Sequence, residues 1–154
     1  MLKFSKKLDY ALASLVYLGK FDVPKNARQV AQYLNLSQPF IANLLKELTT
    51  GGILKSVRGS GGGYFIAKDT RDTNIKQIVE CIDRPLNIAS CISSQDCFAY
   101  SSCPSRNTVS FLQERIISLL EEISLFDMVQ ASSHDNYFLT KYTHMDIKNE
   151  IFKR

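Results

Sequence analysis

Apolar residues recur at spacings of three and four through the first fifty positions, with polar residues between them. Leu8, Leu12, Leu15 and Gly19 mark one face of a helix that Ser5 can cap and that runs to about Lys20, ahead of Pro24. Asn26 is placed to cap a second helix, with Ala27, Val30, Ala31 and Leu34 as its apolar positions. A tight Asn35-Leu36 link follows. Ser37 then heads a third helix with Pro39 in its first turn, where a missing N–H is harmless. Phe40, Ile41, Leu44, Leu45 and Leu48 form its stripe, and Gly51-Gly52 supply the left-handed backbone on which helices end.

The period then changes from helical to extended. Ile53–Val57 and Tyr64–Ala67 read as strands joined by Arg58-Gly59-Ser60-Gly61-Gly62-Gly63, a link with almost no side-chain bulk. A fourth helix, capped by Thr73 or Asp72, places Ile75, Ile78, Val79 and Ile82 on one face and closes at Pro85. Residues 87–105 lack a period and read as a functional loop. From about Ser105 to Glu122 runs the longest helix, with Val109, Leu112, Ile116, Leu119 and Ile123 on a near-heptad stripe. Phe111 and Ile117 make a second face apolar, which suits burial between two subunits. Ser124 caps a short helix over Leu125–Val129, and from about Ala131 no period is sustained, so the tail is expected to be mobile.

The pattern predicts a mainly α chain with a small β-hairpin, in the order of a winged helix-turn-helix with a long dimerisation helix. It divides into a DNA-binding domain (1–85), a cysteine-bearing loop (86–104), a dimerisation helix with its closing helix (105–130) and a C-terminal tail (131–154).

Charge sharpens this division. The net charge is +4, but residues 1–70 hold ten Lys and Arg against four Asp and Glu, while residues 71–154 hold nine against eleven. A basic first half on a mildly acidic second half suits a polyanion-binding head joined to an assembly module. No apolar run reaches membrane-span length, and the basic start lacks a signal core, so a cytoplasmic address without membrane attachment is expected.

In this fold the first turn of the third helix reaches base edges in the major groove. Ser37, Gln38, Pro39, Ala42 and Asn43 lie there, and Gln38 and Asn43 can make paired amide contacts to adenine. Arg58 with Gly59, Ser60 and Gly61 would form a wing that approaches phosphates or a narrow minor groove. Lys46 and Lys55 would add phosphate contacts, as would Lys3, Lys6 and Lys7. The expected partner is double-stranded promoter DNA. A nucleotide-binding loop is excluded at the glycine run, because strand-forming Tyr64-Phe65-Ile66 follow where a helix is required. No nucleophile triad or carboxylate pair supports an enzyme.

Cys91, Cys97 and Cys103 are spaced C-x5-C-x5-C, and no short cysteine pair of the structural-zinc kind is present. On spacing alone an iron–sulfur cluster, a zinc ion and free thiols all remain open. Cys81, on the fourth helix, reads as a buried apolar residue.

The sequence resembles the Rrf-two family of winged-helix transcriptional regulators, which includes IscR, NsrR and RirA. The matching stretches are Lys7–Leu12, Val57–Tyr64, the three-cysteine loop and Ser124–Val129. The resemblance implies a homodimer joined through the long helix, with a cluster near the interface governing promoter binding. It further implies that IscR-like members take a histidine three residues after the last cysteine. Here that residue is Arg106, and the two histidines, His134 and His144, lie in the tail. NsrR-like members use a first-helix aspartate of the other subunit, and Asp9 occupies that position, pointing to a 4Fe–4S rather than a 2Fe–2S site held by Cys91, Cys97, Cys103 and Asp9. The expected function is a regulator, acting as a repressor, whose cluster senses nitric oxide, redox stress or iron status. A cluster-free regulator of the same fold, responding to a metabolite or to thiol oxidation, is the alternative.

Overall fold

The computed structural model describes residues 4–83, 86–89, 97 and 100–142. Helix α1 spans Lys6–Leu18, and the Ser5 side chain accepts the Leu8 N–H, as an N-cap does. Helix α2 spans Ala27–Leu34 and opens with a reciprocal capping box between Asn26 and Gln29. Asn35 takes the left-handed conformation (φ 53°) that lets the chain reverse tightly into α3, Gln38–Thr50. Ser37 stands at the cap position of α3 without a side-chain capping bond. Gly51 is still right-handed, and the left-handed step falls one residue later, at Gly52 (φ 75°).

Strands β1 (Leu54–Val57) and β2 (Gly63–Ile66) form an antiparallel hairpin in the register Leu54↔Ile66 to Val57↔Gly63. Ile53, expected in the first strand, is instead a buried joint: its N–H donates to Leu48 and its carbonyl accepts from Ala67. A bridge that the sequence pattern did not announce ties Lys25 to Tyr64 through bonds of 3.0 and 2.9 Å. A Cβ on Gly63 would stand 2.5 Å from the Lys25 carbonyl carbon, so this approach of two backbones requires glycine.

Beyond the hairpin lies a 3-10 turn, Thr70–Asp72, which the pattern also did not announce. Helix α4 (Ile75–Ile82) is capped by Asn74 with Gln77 in a capping box, not by Thr73 or Asp72. Thr73 is buried because its carbonyl accepts the Leu125 N–H at 2.7 Å, pulling it out of the capping position. Asp83 ends α4, and Pro85 lies outside the described residues.

Helix α5 spans Arg106–Glu122 and packs on α4. Helix α6 spans Leu125–Ala131 behind a capping box between Ser124 and Asp127. The tail departs from expectation, since it includes helix α7, Tyr137–Tyr142, packed on α6. Six residues are too few for a period to show, and long-range bonds hold α7 instead. Tyr137 donates to the Asp127 carboxylate at 2.8 Å, and the Lys141 ammonium pairs with it as well. Burial pushes the Asp127 pKa up. The Lys141 ammonium, with the Ser124 and Tyr137 donors, overcomes this and holds the carboxyl well below its usual range.

One core joins α1, α3, α4, the hairpin base and α6, centred on Leu8, Leu15, Ile41, Leu45, Leu48, Ile78 and Leu125. Helix α5 contributes little to it. Its buried residues are Gln113 and Leu120, one heptad apart. The expected stripe therefore splits: Val109, Ile116 and Ile123 are half-buried, whereas Leu112 and Leu119 stand 47% and 48% exposed, beside Phe111 at 55%.

Candidate nucleic-acid interface and cysteine segment

The buried stripe of α3, Ile41, Leu44, Leu45 and Leu48, sets the rotation of that helix and so decides which residues point outward. Ser37, Gln38, Pro39, Asn43 and Lys46 are all exposed, and Ala42 is half-buried between them. Phe40 packs edge-on against Tyr10 of α1, with ring centroids 5.6 Å apart. The Leu36 N–H donates to Ala31 at 2.9 Å and fixes the α2–α3 turn. Amide and hydroxyl groups at the front of a helix held this rigidly form a surface suited to reading base edges.

The hairpin adds a second exposed surface. Lys55 points outward from β1, and Arg58, Gly59, Ser60 and Gly61 form its exposed tip. Gly59 has φ 117°, and its carbonyl accepts the Gly62 N–H at 3.0 Å, which closes the tip. Of the N-terminal lysines, Lys6 is exposed, Lys7 pairs with Glu47 of α3 at 2.6 Å, and Lys3 lies outside the described residues. The Lys7 charge is thus engaged in binding α1 to α3.

Cys97 and Cys103 are half-buried free thiols, and Cys91 lies outside the described residues. The Tyr100 N–H donates to the Cys97 carbonyl at 3.0 Å, and the Arg106 N–H donates to the Cys103 carbonyl at 3.4 Å. Cys103 Sγ is 3.3 Å from Ser105 Oγ. Hydrogen bonds from the Ser105 hydroxyl and backbone pull the Cys103 pKa below its usual value; burial opposes them and Arg106 assists. Cys81 differs: burial, helped by Glu47, pushes its thiol pKa up, and its Sγ approaches the Glu47 carbonyl at 3.9 Å. Soft sulfur donors, one of them with its pKa drawn below the usual thiol value by hydrogen bonds, fit a thiolate-held metal group in their chemistry. Among the described residues no three metal-ligating side chains converge. Asp9 is exposed in the first turn of α1, and His134 is exposed in the tail, while His144 lies outside the described residues.

Two contacts near the cysteines went unrecognised in the sequence. The Arg106 guanidinium stacks on Tyr100, 4.0 Å from the ring centroid, and its Nη2 donates to the Tyr100 hydroxyl at 2.8 Å. Gln113 is 6% exposed. Its Oε1 accepts the Ile88 N–H at 3.0 Å and its Nε2 donates to the Leu86 carbonyl. A glutamine inside an apolar stripe was the available signal, because a buried amide needs partners.

A helix-turn-helix followed by a glycine-tipped hairpin, with polar and basic residues presented by both, defines a winged-helix DNA-binding transcriptional regulator. The chain belongs to the Rrf2 family: residues 4–131 match the family described as "Rrf2: Iron-dependent Transcriptional regulator". It is similar to the HTH-type transcriptional regulator IscR of Yersinia pseudotuberculosis, 26% identical over 130 residues, covering 83% of this chain and 79% of the relative. Among solved structures, T. potens IscR matches with TM-score 0.65 and 25% identity over 85% of this chain and 88% of that one. CymR, the global cysteine regulator of B. subtilis, shares the fold with TM-score 0.70 and 23% identity, covering 84% and 98% of the two chains. Its relatives are transcriptional regulators, and this chain is one also, not an enzyme. No helix among the described residues is long and apolar enough to cross a membrane.

Proposed function

We propose that this chain is a cytoplasmic, homodimeric, sequence-specific repressor whose operator binding is controlled by a 4Fe–4S cluster on Cys91, Cys97 and Cys103, sensitive to nitric oxide, redox stress or iron status. The observation that carries the reading is that Cys103 closely precedes α5 and Cys97 is tied to the first residue of that helix through Tyr100, while Phe111, Leu112 and Leu119 of α5 are exposed. A change at the thiols then acts on the element that would set the spacing of two recognition helices. Similarity to IscR supports the cluster assignment. In this reading α3 (Ser37, Gln38, Pro39, Ala42, Asn43, Lys46) and the wing (Lys55, Arg58, Gly59, Ser60, Gly61) hold the operator. The cluster, when bound, would supply iron that can react with small molecules.

Asp9 is proposed as the fourth ligand, in NsrR-like fashion. It is exposed, so its carboxylate is free to meet a partner subunit's cysteine segment. Arg106, permanently protonated, cannot ligate iron where the IscR-like pattern has histidine.

Anaerobic purification followed by visible absorption and iron analysis tests this. A brown protein with iron and sulfide is expected, with Cys97→Ala colourless and Asp9→Ala losing its chromophore faster than wild type. A colourless, metal-free wild type that binds DNA until its thiols are oxidised would establish the second reading, thiol sensing. That reading is favoured by the free, half-buried thiols of Cys97 and Cys103.

A further inference from the structure

The cysteine segment is anchored to α5 at both of its ends, by residues outside the proposed ligand set. Upstream, the Gln113 side-chain amide engages the backbone of Leu86 and Ile88 as an adjacent strand would, accepting from one residue and donating to the other. Downstream, Arg106 clasps Tyr100 by stacking and by a hydrogen bond, while its own N–H donates to the Cys103 carbonyl. Tyr100 in turn donates to the Cys97 carbonyl, so the clasp reaches the backbone of both thiols. Arg106 is the first residue of α5, and Gln113 lies two turns further along.

We propose that Gln113 and Arg106 are positioning residues that lock the cysteine segment to the first turns of the long helix, so that Cys97 and Cys103 hold a set relation to α5 before any metal binds. Gln113 suits this role because a buried amide satisfies two backbone groups that would otherwise be desolvated and unpaired. Arg106 suits it because a planar guanidinium can stack and donate at once, which an ammonium cannot. The position that the IscR-like pattern gives to a ligand thus serves here to hold the ligands in place. The inference rests on reading this segment as the functional thiol site, but its test needs no cluster.

Metal-free, full-length protein is alkylated anaerobically with iodoacetamide, and the rate at each cysteine is read by peptide mass spectrometry. Arg106→Lys and Gln113→Leu should each speed modification of Cys97 and Cys103 by roughly threefold or more, because the segment opens locally more often. Cys81, on α4, should keep its wild-type rate and so reports on the integrity of the fold. Unchanged rates at Cys97 and Cys103 in Arg106→Lys, an exposed change that keeps the charge but removes the stacking fork, would overturn the proposal. So would equal acceleration of Cys81, which would mark general loosening. A wild type that never acquires a chromophore sinks the cluster reading and leaves this labelling result standing. If the chromophore forms, Arg106→Lys should shorten its lifetime several-fold in air while leaving its spectrum unchanged.

Discussion

The DNA-binding head and the long helix bury their apolar residues to very different extents. In the head, α1 and α3 each bury four large or small apolar side chains against one another, α4 and the hairpin base. Helix α5 is longer than either, yet it buries only Gln113 and Leu120 and leaves Phe111, Leu112 and Leu119 about half exposed. A head whose core is closed within the same chain, with Leu125 of α6 supplying part of it, needs no second surface to be complete. A helix that leaves its apolar side chains exposed is built to be completed by another surface, which in the proposed dimer is the same helix of a second chain. In the proposed regulator this difference would divide the labour: the head would keep its reading surface rigid, and α5 with the cysteine segment beside it would be where a signal changes geometry at low cost.

The sharpest way to break this comparison is to charge the uncovered face. Leu112→Glu combined with Leu119→Glu should leave the head folded, because neither side chain serves its core, and should yield monomers. Operator affinity should fall roughly 100-fold as the linkage between two half-sites is lost. Light scattering with a fluorescence anisotropy titration checks both, and a dimer that survives the double change would place the interface elsewhere.

Removing the buried carboxylate that joins α6 to the tail comes next. Asp127→Ala loses a cap and leaves Tyr137 and Lys141 without their acceptor, a cost of about 2–3 kcal/mol in urea unfolding. Because the folded pKa of Asp127 is depressed, its contribution is present above the ordinary carboxylate pKa and is lost as the pH falls through the folded value. Wild type should therefore lose stability in acid more steeply than Asp127→Asn. Equal slopes would mean that the Lys141 pairing contributes nothing.

A third change sharpens the comparison from the side of the head. Arg58→Ala should weaken operator binding by about 1–3 kcal/mol at fixed salt with unfolding unchanged, since the side chain lies at an exposed hairpin tip. Unaltered affinity in a gel-shift titration would remove the wing from the DNA surface. The smallest effect is expected at Asn74→Ala, which deletes one half of a capping box and should cost about 1 kcal/mol of stability. Thr73→Ser keeps the buried backbone bond to Leu125 and should cost less. The reverse order in thermal melts would return the cap to Thr73.

Periodicity alone determined most of the head. The apolar spacing of α1, α2 and α3, the caps Ser5 and Asn26, and the glycine link between two strands are local signals, and local bonds satisfy them. The exposure of Gln38 and Asn43 was legible for the same reason, since a helix with one buried face must present the opposite one, and that of Arg58 because it sits in the link between two strands. What tertiary structure decided were the matters settled by distant partners. Asn74 rather than Thr73 caps α4 because Leu125, fifty-two positions away, claims the Thr73 carbonyl. Residues 137–142 are helical because Asp127 is buried where Tyr137 and Lys141 can reach it. The hairpin gains a bridge at Lys25 because Gly63 lets two backbones meet. Arg106 drew notice in sequence only for standing where the IscR-like pattern has histidine and Gln113 drew none, and only the folded chain brings Tyr100 and the Leu86–Ile88 backbone within their reach. A residue's own chemistry states which bonds it can make, and the fold supplies the partner.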